Sequence, residues 1–301
     1  MSNPLVSFSD QLAATVARAG QSVVAVHGRS RFDSSGLHWS PGIIVTADHA
    51  LRRDEDIRIT APDGSRLNAE LVGRDPGTDL AVLRAEGLTA SVADEAGKTP
   101  APGSVILAVG RFKDSASAAF GVLSSISGPS QTWRGGRLDQ VLRVDVALHP
   151  AASGGAIVDA EGELVGIATP VLSRVAVFAI PPATVQRVVD TLLAHGRIPR
   201  GYLGVGLQPV AIPEHLKSTL KLPGARGLIV ISVDPDAPAG QAGITLGDVL
   251  IELSGTTIQR PEDVQQVLDS GSVGKQVSAR LLRGGKLVDV EVTVGERPRK
   301  G

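Results

Sequence analysis

There is no cysteine anywhere in the 301 residues. Disulfide staples, thiolate nucleophiles and cysteine-built zinc sites are therefore excluded. Neither sign of charge is in excess, since 30 Lys plus Arg stand against 31 Asp plus Glu. No broad field draws in nucleic acid or an anionic membrane, and neither is expected as a partner. No apolar run approaches the ~20 residues that cross a bilayer. The opening "MSNPLVSFSDQLAATVARAGQSVVAV" has no basic stretch ahead of an apolar one, and Asp10 and Arg18 interrupt it. It lacks the pattern of a secretory signal. Without cysteine and without that pattern, the chain is expected to be cytoplasmic. No phosphate-binding loop and no metal-ligand cluster stands out, so no cofactor and no metal are expected.

What is present is the composition of a soluble globular protein, 42% apolar and 20% charged, with 35 Gly and 19 Pro for turns. That length suits two or three compact units. Phe8, Leu12 and Val16 recur at helical spacing and predict an amphipathic helical segment over residues 1–21. From Ser22 to about Val177 the signal is β. Short apolar runs such as "SVVAV", "GIIVTA", "LAVLRA", "SVILAVG", "VLRVDV" and "LVGIAT" alternate with turn residues. Many short strands at such spacing predict barrels or sandwiches. The segment "ADEAGKTPAPG", residues 93–103, splits the region into two halves, which read as two small barrels. Val185, Val188, Val189, Leu192 and Leu193 then fall on one helical face, and Gly196 stops that helix. After "GRIPRG" a second unit of mixed strands and helices follows, giving boundaries of 22–198 and 199–301.

The chemistry begins at "LHPAASGGAIVD". Ser-Gly-Gly by itself marks a tight turn. A serine hydroxyl becomes a nucleophile only with a neutral imidazole to take its proton and a carboxylate to orient that imidazole. Of the six histidines, His195 reads as a helix C-terminal cap, His215 belongs to the second unit, His27 lies in the first strand and His38 in a loop. His149 is too near the serine in sequence and lines its loop. His49, in "GIIVTADHAL", sits where a strand gives way to a helical turn, a rigid platform for a side chain entering a cleft. Asp79, in "GRDPGTDLAVLR", stands at the start of another strand. Taken alone it is a turn residue, and His49 taken alone is structural. Asp48 is too close to His49 to serve as its orienting carboxylate, and Asp145 is expected to support the serine loop. The order His49, Asp79, Ser153 is that of chymotrypsin-type double barrels.

These segments resemble the HtrA (Deg) family of trypsin-like serine proteases, in which a protease unit precedes one or more PDZ domains. "GIIVTADHAL", "GTDLAVLR", "LRVDVALHPAASGGAIVDAEGELVGIAT" and "VAVFAIPPATV" match the family's protease blocks in order. "PRGYLGVGLQPV" and "VDPDAPAGQAGITLGDVLIELSGTTI" match its PDZ blocks. The resemblance runs from about Ser22 to Val294. It implies a mainly β fold, a chymotrypsin-like double β-barrel followed by an α+β PDZ domain. It further implies an ATP-independent serine endopeptidase of protein quality control that cleaves unfolded or misfolded protein. The alternative is a catalytically weak or inactive protease-like scaffold or chaperone that works through PDZ peptide binding.

Residue by residue, the resemblance makes Ser153 the nucleophile, His49 the general base and Asp79 its orienting carboxylate, with the Ala151 and Ser153 amides receiving the oxyanion. Ala147, Leu148 and Ala176 would line the pocket for the side chain before the cut bond. Tyr202, Leu203, Gly204 and Val205 would capture a peptide's C-terminal carboxylate, flanked by Val264, Val267 and Leu268 on a helix. A homotrimer joined through an N-terminal aromatic, Phe8, is the implied assembly. This chain departs from the family at Ala151 and Ala152, where the family has Gly-Asn. Glycine reaches positive φ without strain and alanine does not.

Overall fold

The structure, a computed structural model, describes residues 3–28, 33–112, 114–173, 175–268 and 271–297. The chain divides into two compact units, 1–198 and 199–301. The first opens with helix α1 (Pro4–Ala19), started by the Asn3 side chain accepting the Leu5 N–H and by Pro4 in the first turn. Leu12 and Val16 turn its apolar stripe onto the core. The Arg18 guanidinium and the Thr15 hydroxyl fasten it to the Glu161 and Ala160 carbonyls.

Six strands follow: β1 (Val23–His27), β2 (Ser34–Ser40), β3 (Ile43–Ala47), β4 (Ile57–Thr60), β5 (Arg66–Asp75) and β6 (Leu80–Arg84). They close into a barrel in the order β1-β2-β3-β6-β5-β4. After the connector come β7 (Val105–Phe112), β8 (Ser115–Ser127), the short hairpin strands β9 (Ser130–Gln131) and β10 (Arg137–Leu138), β11 (Val141–Asp145), β12 (Ala156–Asp159), β13 (Leu164–Thr169) and β14 (Val177–Ile180). A second barrel closes in the order β11-β14-β13-β12-β7-β8. Helix α2 (Pro182–His195) ends on Gly196 at φ 69°, a left-handed cap that favours glycine.

Alternation decides what each strand face does. Along β1, Val24 and Val26 point into the first barrel with Ile44, Ile57 and Leu83. Val23 points the other way, into a seam where Leu37, Val45 and Leu80 meet Val109, Ile167 and the α2 residues Val185, Val188 and Leu192. Strands buried on both faces read as unbroken apolar runs, which is why "SVVAV" and "GIIVTA" carry so little polarity. Each such side chain contributes about 1.5–3 kcal/mol by leaving water. The seam therefore locks the barrels together.

The sequence reading put His38 in a loop, whereas it lies inside β2 at 3% exposure. Its Nδ1 donates to the Ala90 and Ser91 carbonyls, and its Nε2 accepts the Gly42 N–H. Those bonds let a polar segment, "SSGLHWS", be buried as a strand.

The second unit contains β15 (Gly201–Tyr202), β16 (Val205–Ala211), α3 (Glu214–Leu220), β17 (Arg226–Val233), α4 (Pro238–Gln241), β18 (Val249–Leu253), β19 (Thr256–Thr257), α5 (Pro261–Val267), β20 (Gln276–Arg283), β21 (Lys286–Thr293) and β22 (Gly295–Glu296). Its main sheet runs β16-β17-β18-β20-β21, so β16 is an edge. Arg283 grips the buried Asp248 carboxylate with two bonds of 2.7 Å. Burial raises the Asp248 pKa, but the Arg283 and Thr245 bonds outweigh it and hold the carboxyl below its ordinary value.

Candidate functional site

Strand register explains why His49 and Asp79 meet. β3 and β6 are antiparallel neighbours with Ala47 opposite Leu80. The residues just after β3 therefore face the residue just before β6. A 3-10 turn at Asp48–Ala50 swings His49 round, and the Asp79 carbonyl accepts the Asp48 N–H at 3.0 Å. Asp79 takes φ 60°, a left-handed conformation that aspartate tolerates better than most residues. The preceding turn is braced by the Asp75 carboxylate, which accepts the Gly77 N–H at 3.0 Å and the Thr78 hydroxyl at 2.6 Å.

The Asp79 carboxylate is fully buried and surrounded by donors. It accepts the His49 N–H at 2.9 Å, and His49 Nδ1 lies 3.0 and 2.8 Å from its two oxygens. The Thr169 hydroxyl, at the end of β13 in the other barrel, donates to the same carboxylate. A carboxylate can only accept, so the His49 proton sits on Nδ1 and Nε2 is the basic nitrogen of the ring. Behind the histidine, Arg74 bonds the Asp48 and Asp54 carboxylates at 2.9 and 2.6 Å. Burial pushes the Asp48 carboxyl up, with Arg74 opposing.

Ser153 follows a 3-10 turn at Pro150–Ala152 and is 3% exposed. Its loop is nailed to both barrels. Ser35 of β2 donates its N–H to the Ser153 carbonyl at 2.9 Å and its hydroxyl to the Ala151 carbonyl at 2.6 Å. Gly154 donates to Ala168 of β13 at 2.9 Å. Gly154 takes φ 80°, and a Cβ there would lie 2.4 Å from the Ser35 oxygen and 2.6 Å from the Ala47 nitrogen. That position admits only glycine, on conformational and steric grounds alike. The fit also brings the serine loop against the end of β3, two residues before His49.

Both amides assigned to the oxyanion are engaged within the loop. Ala151 N–H donates to His149 Nδ1 at 3.1 Å, and Ser153 N–H to the Pro150 carbonyl at 3.2 Å. Among the described residues only Asp56, Asp79, Lys221 and Ser254, besides glycines, take positive φ. Ala151 does not.

Of the three expected pocket residues, Ala176 lines a cleft of about 340 Å³ together with Ser124, Arg143, Asp145, Ser173 and Val175. Leu148 instead packs against the core of the second barrel, and Ala147 is exposed. Asp145, expected to brace the serine loop, stands at the end of β11 in that cleft. Sequence reasoning missed Thr169 and Ser35, small hydroxyls at strand positions that carry no motif signal of their own.

In the second unit the Leu203 and Gly204 carbonyls accept from Ala239 and Asp234 at 2.8 and 2.9 Å. Among the described residues neither N–H of this pair donates to another group of the protein. Val205 starts the edge strand β16, and Tyr202 pairs with Gly295. Val264 of α5 is buried in the core, while Val267 and Leu268 are half-buried at its margin.

Comparison with known proteins bears on these features. Residues 34–167 match the trypsin-like peptidase domain, and residues 201–294 match the PDZ domain. A probable periplasmic serine endoprotease, DegP-like, from Brucella suis biovar 1 (strain 1330) is 32% identical over 286 residues, covering 90% of this chain and 54% of its own. The chain thus spans about half the length of the curated relatives it matches. Among solved structures, the serine endoprotease from Yersinia pestis is 30% identical with a TM-score of 0.74, covering 95% of this chain and 98% of its own. The HtrA-type protease AlgW with decapeptide is 26% identical with a TM-score of 0.75, covering 96% and 99%.

These relatives overturn the expectation of a cytoplasmic protein, since DegP-like relatives from Brucella and Halomonas are named periplasmic. A chain without cysteine suits an oxidising compartment as well as a reducing one. With both unit types matched in order and a solved relative covered almost end to end, the chain belongs to the HtrA (Deg) family of trypsin-like serine proteases bearing a PDZ domain.

Proposed function

We propose that the protein is an ATP-independent serine endopeptidase acting on unfolded or misfolded chains. One observation carries this reading: the His49–Asp79 pair, fixed by β3–β6 register and tied to the second barrel by Thr169, beside a serine loop that meets the end of β3. In this reading Ser153 attacks the scissile carbonyl, His49 Nε2 takes its proton and later delivers it to the leaving amine, and Asp79 stabilises the imidazolium. The test is covalent labelling of Ser153 by a fluorophosphonate, which Ser153→Ala should abolish. One observation favours the rival, a peptide-binding scaffold without activity: the Ala151 N–H is engaged by His149. Peptide binding with no labelling under any condition would decide for it.

The pocket is proposed at the cleft that Ala176 lines, without Ala147 and Leu148, and the Asp145 carboxylate there is accompanied by the Arg143 guanidinium. A lysine or arginine side chain would enter without a dedicated counter-charge, which is expensive on burial. Cleavage after Val, Ala or Leu should exceed cleavage after Arg by at least tenfold in kcat/KM. Equal or better turnover of the Arg peptide in a matched series would refute this pocket.

The PDZ unit is proposed to hold C-terminal peptides, with the Leu203–Gly204 amides on the carboxylate and the peptide added as a strand along β16. Tyr202, Val205, Val267 and Leu268 would border it. The HtrA-type protease AlgW in the comparison is a solved structure with a decapeptide. Tethering a substrate tail to the same chain as the protease unit would raise its effective concentration for cleavage.

The assembly is proposed to be a homotrimer. Leu5, Val6 and Phe8 on α1 and Phe120 on β8 are exposed apolar side chains, and the Phe8 and Phe120 rings meet edge to face at 6.2 Å. A patch of this kind calls for a partner. Light scattering should give about three times the 31.0 kDa chain mass, and Phe8→Asp should lower it. A monomer at micromolar concentration would rule the trimer out.

A further inference from the structure

We propose that His149 is a positioning residue: its imidazole, accepting the Ala151 N–H through Nδ1, holds the serine loop in a resting turn and keeps that N–H from the oxyanion. The proposal rests on the reading of Ser153 as nucleophile. His149–Ala152 is a four-residue turn closed by Ala152 N–H donating to the His149 carbonyl at 2.8 Å, with Pro150 and Ala151 in its centre. Proline in the first central position suits both common turn types. They differ by a flip of the one peptide plane between the central residues, and the flipped form requires positive φ at the second. Ala151 has no positive φ, so the turn is in the unflipped form.

In that form the Pro150–Ala151 peptide does two things at once. Its N–H reaches His149 Nδ1, and its carbonyl caps the Ser153 N–H. Flipping it reverses both, freeing the Ser153 amide and aiming the Ala151 amide to the opposite side, as convergent oxyanion donors require. The next peptide cannot share the motion, because the Ser35 hydroxyl donates to the Ala151 carbonyl and accepts the Arg111 N–H at 2.8 Å. The hinge is thus a single plane. Two features oppose its turning: the Cβ of Ala151, which disfavours positive φ, and the His149 bond. The ring is itself braced by Phe112, edge-on with centroids 6.0 Å apart. Accepting through Nδ1 requires a neutral ring with its proton on Nε2. Among the described residues His149 makes no ion pair.

The test compares wild type, His149→Ala, His149→Asn and Ala151→Gly. It reads the fluorophosphonate labelling rate, kcat and KM on a peptide, and hydrogen exchange of the Ala151 amide by NMR. His149→Ala should label and turn over about fivefold faster, the weight of one hydrogen bond, with KM little changed and Ala151 exchanging faster. His149→Asn offers an amide oxygen to the same N–H and should restore both rates and exchange to wild type, which a merely structural histidine would not do. Ala151→Gly removes the other restraint and should speed labelling about tenfold. Unchanged rates and exchange in His149→Ala, or an Asn variant that behaves like Ala, would overturn the latch while the peptidase reading stands. Labelling absent from every variant, Ala151→Gly included, would sink the nucleophile reading and the latch with it.

Discussion

Ser153→Ala should abolish fluorophosphonate labelling and lower peptide turnover by about 10⁶-fold, the scale seen when a serine nucleophile is removed from this kind of triad. The fold should survive intact. Every hydrogen bond the structure gives Ser153 runs through its backbone, to Ser35 and Pro150, so alanine keeps them all and loses one oxygen. The variant should therefore unfold within a degree or two of wild type and still bind peptide at the PDZ unit. Intact mass after probe treatment and kcat/KM on a peptide are the measurements. An adduct persisting on the alanine variant would move the nucleophile elsewhere and end this assignment.

Asp79→Asn should cost about 10⁴-fold in kcat, because the amide would present a donor where His49 Nδ1 now finds an acceptor. The imidazole would turn to the other tautomer, placing its proton on Nε2 and leaving no base for the serine. The size of the effect follows from how completely the carboxylate is committed. It is wholly buried, accepts from two atoms of His49 and receives the Thr169 hydroxyl. Asparagine also tolerates positive φ, so the backbone at φ 60° need not move. A loss below about tenfold, with the melting temperature held, would mean that another group orients the histidine.

Most of the architecture was legible because both barrels bury their strands on two faces, and long apolar runs broken by turns leave little choice of fold. β2 escaped notice for the opposite reason. Its burial depends on Ser35 and His38 finding partners from the 90–91 connector, the serine loop and β7, and such satisfaction is invisible in a linear pattern. The His49–Asp79 meeting was readable from strand ends and chain order. Thr169 was not, since a threonine closing a strand has no distinguishing spacing. The loop conformation at Ala151 lay beyond sequence altogether, because two turn types share the same residues and differ by one rotated plane. Compartment was misread because composition reports what a fold tolerates, not where it is delivered.

Thr169 gives the cleft a temporal order. His49 and Asp79 leave the ribosome first, yet the hydroxyl that completes the carboxylate's surroundings, and the serine itself, come from the later barrel. If the proposed triad holds, a half-made chain would be harmless to its neighbours and to itself, because cutting power would arrive only when the last strands have closed.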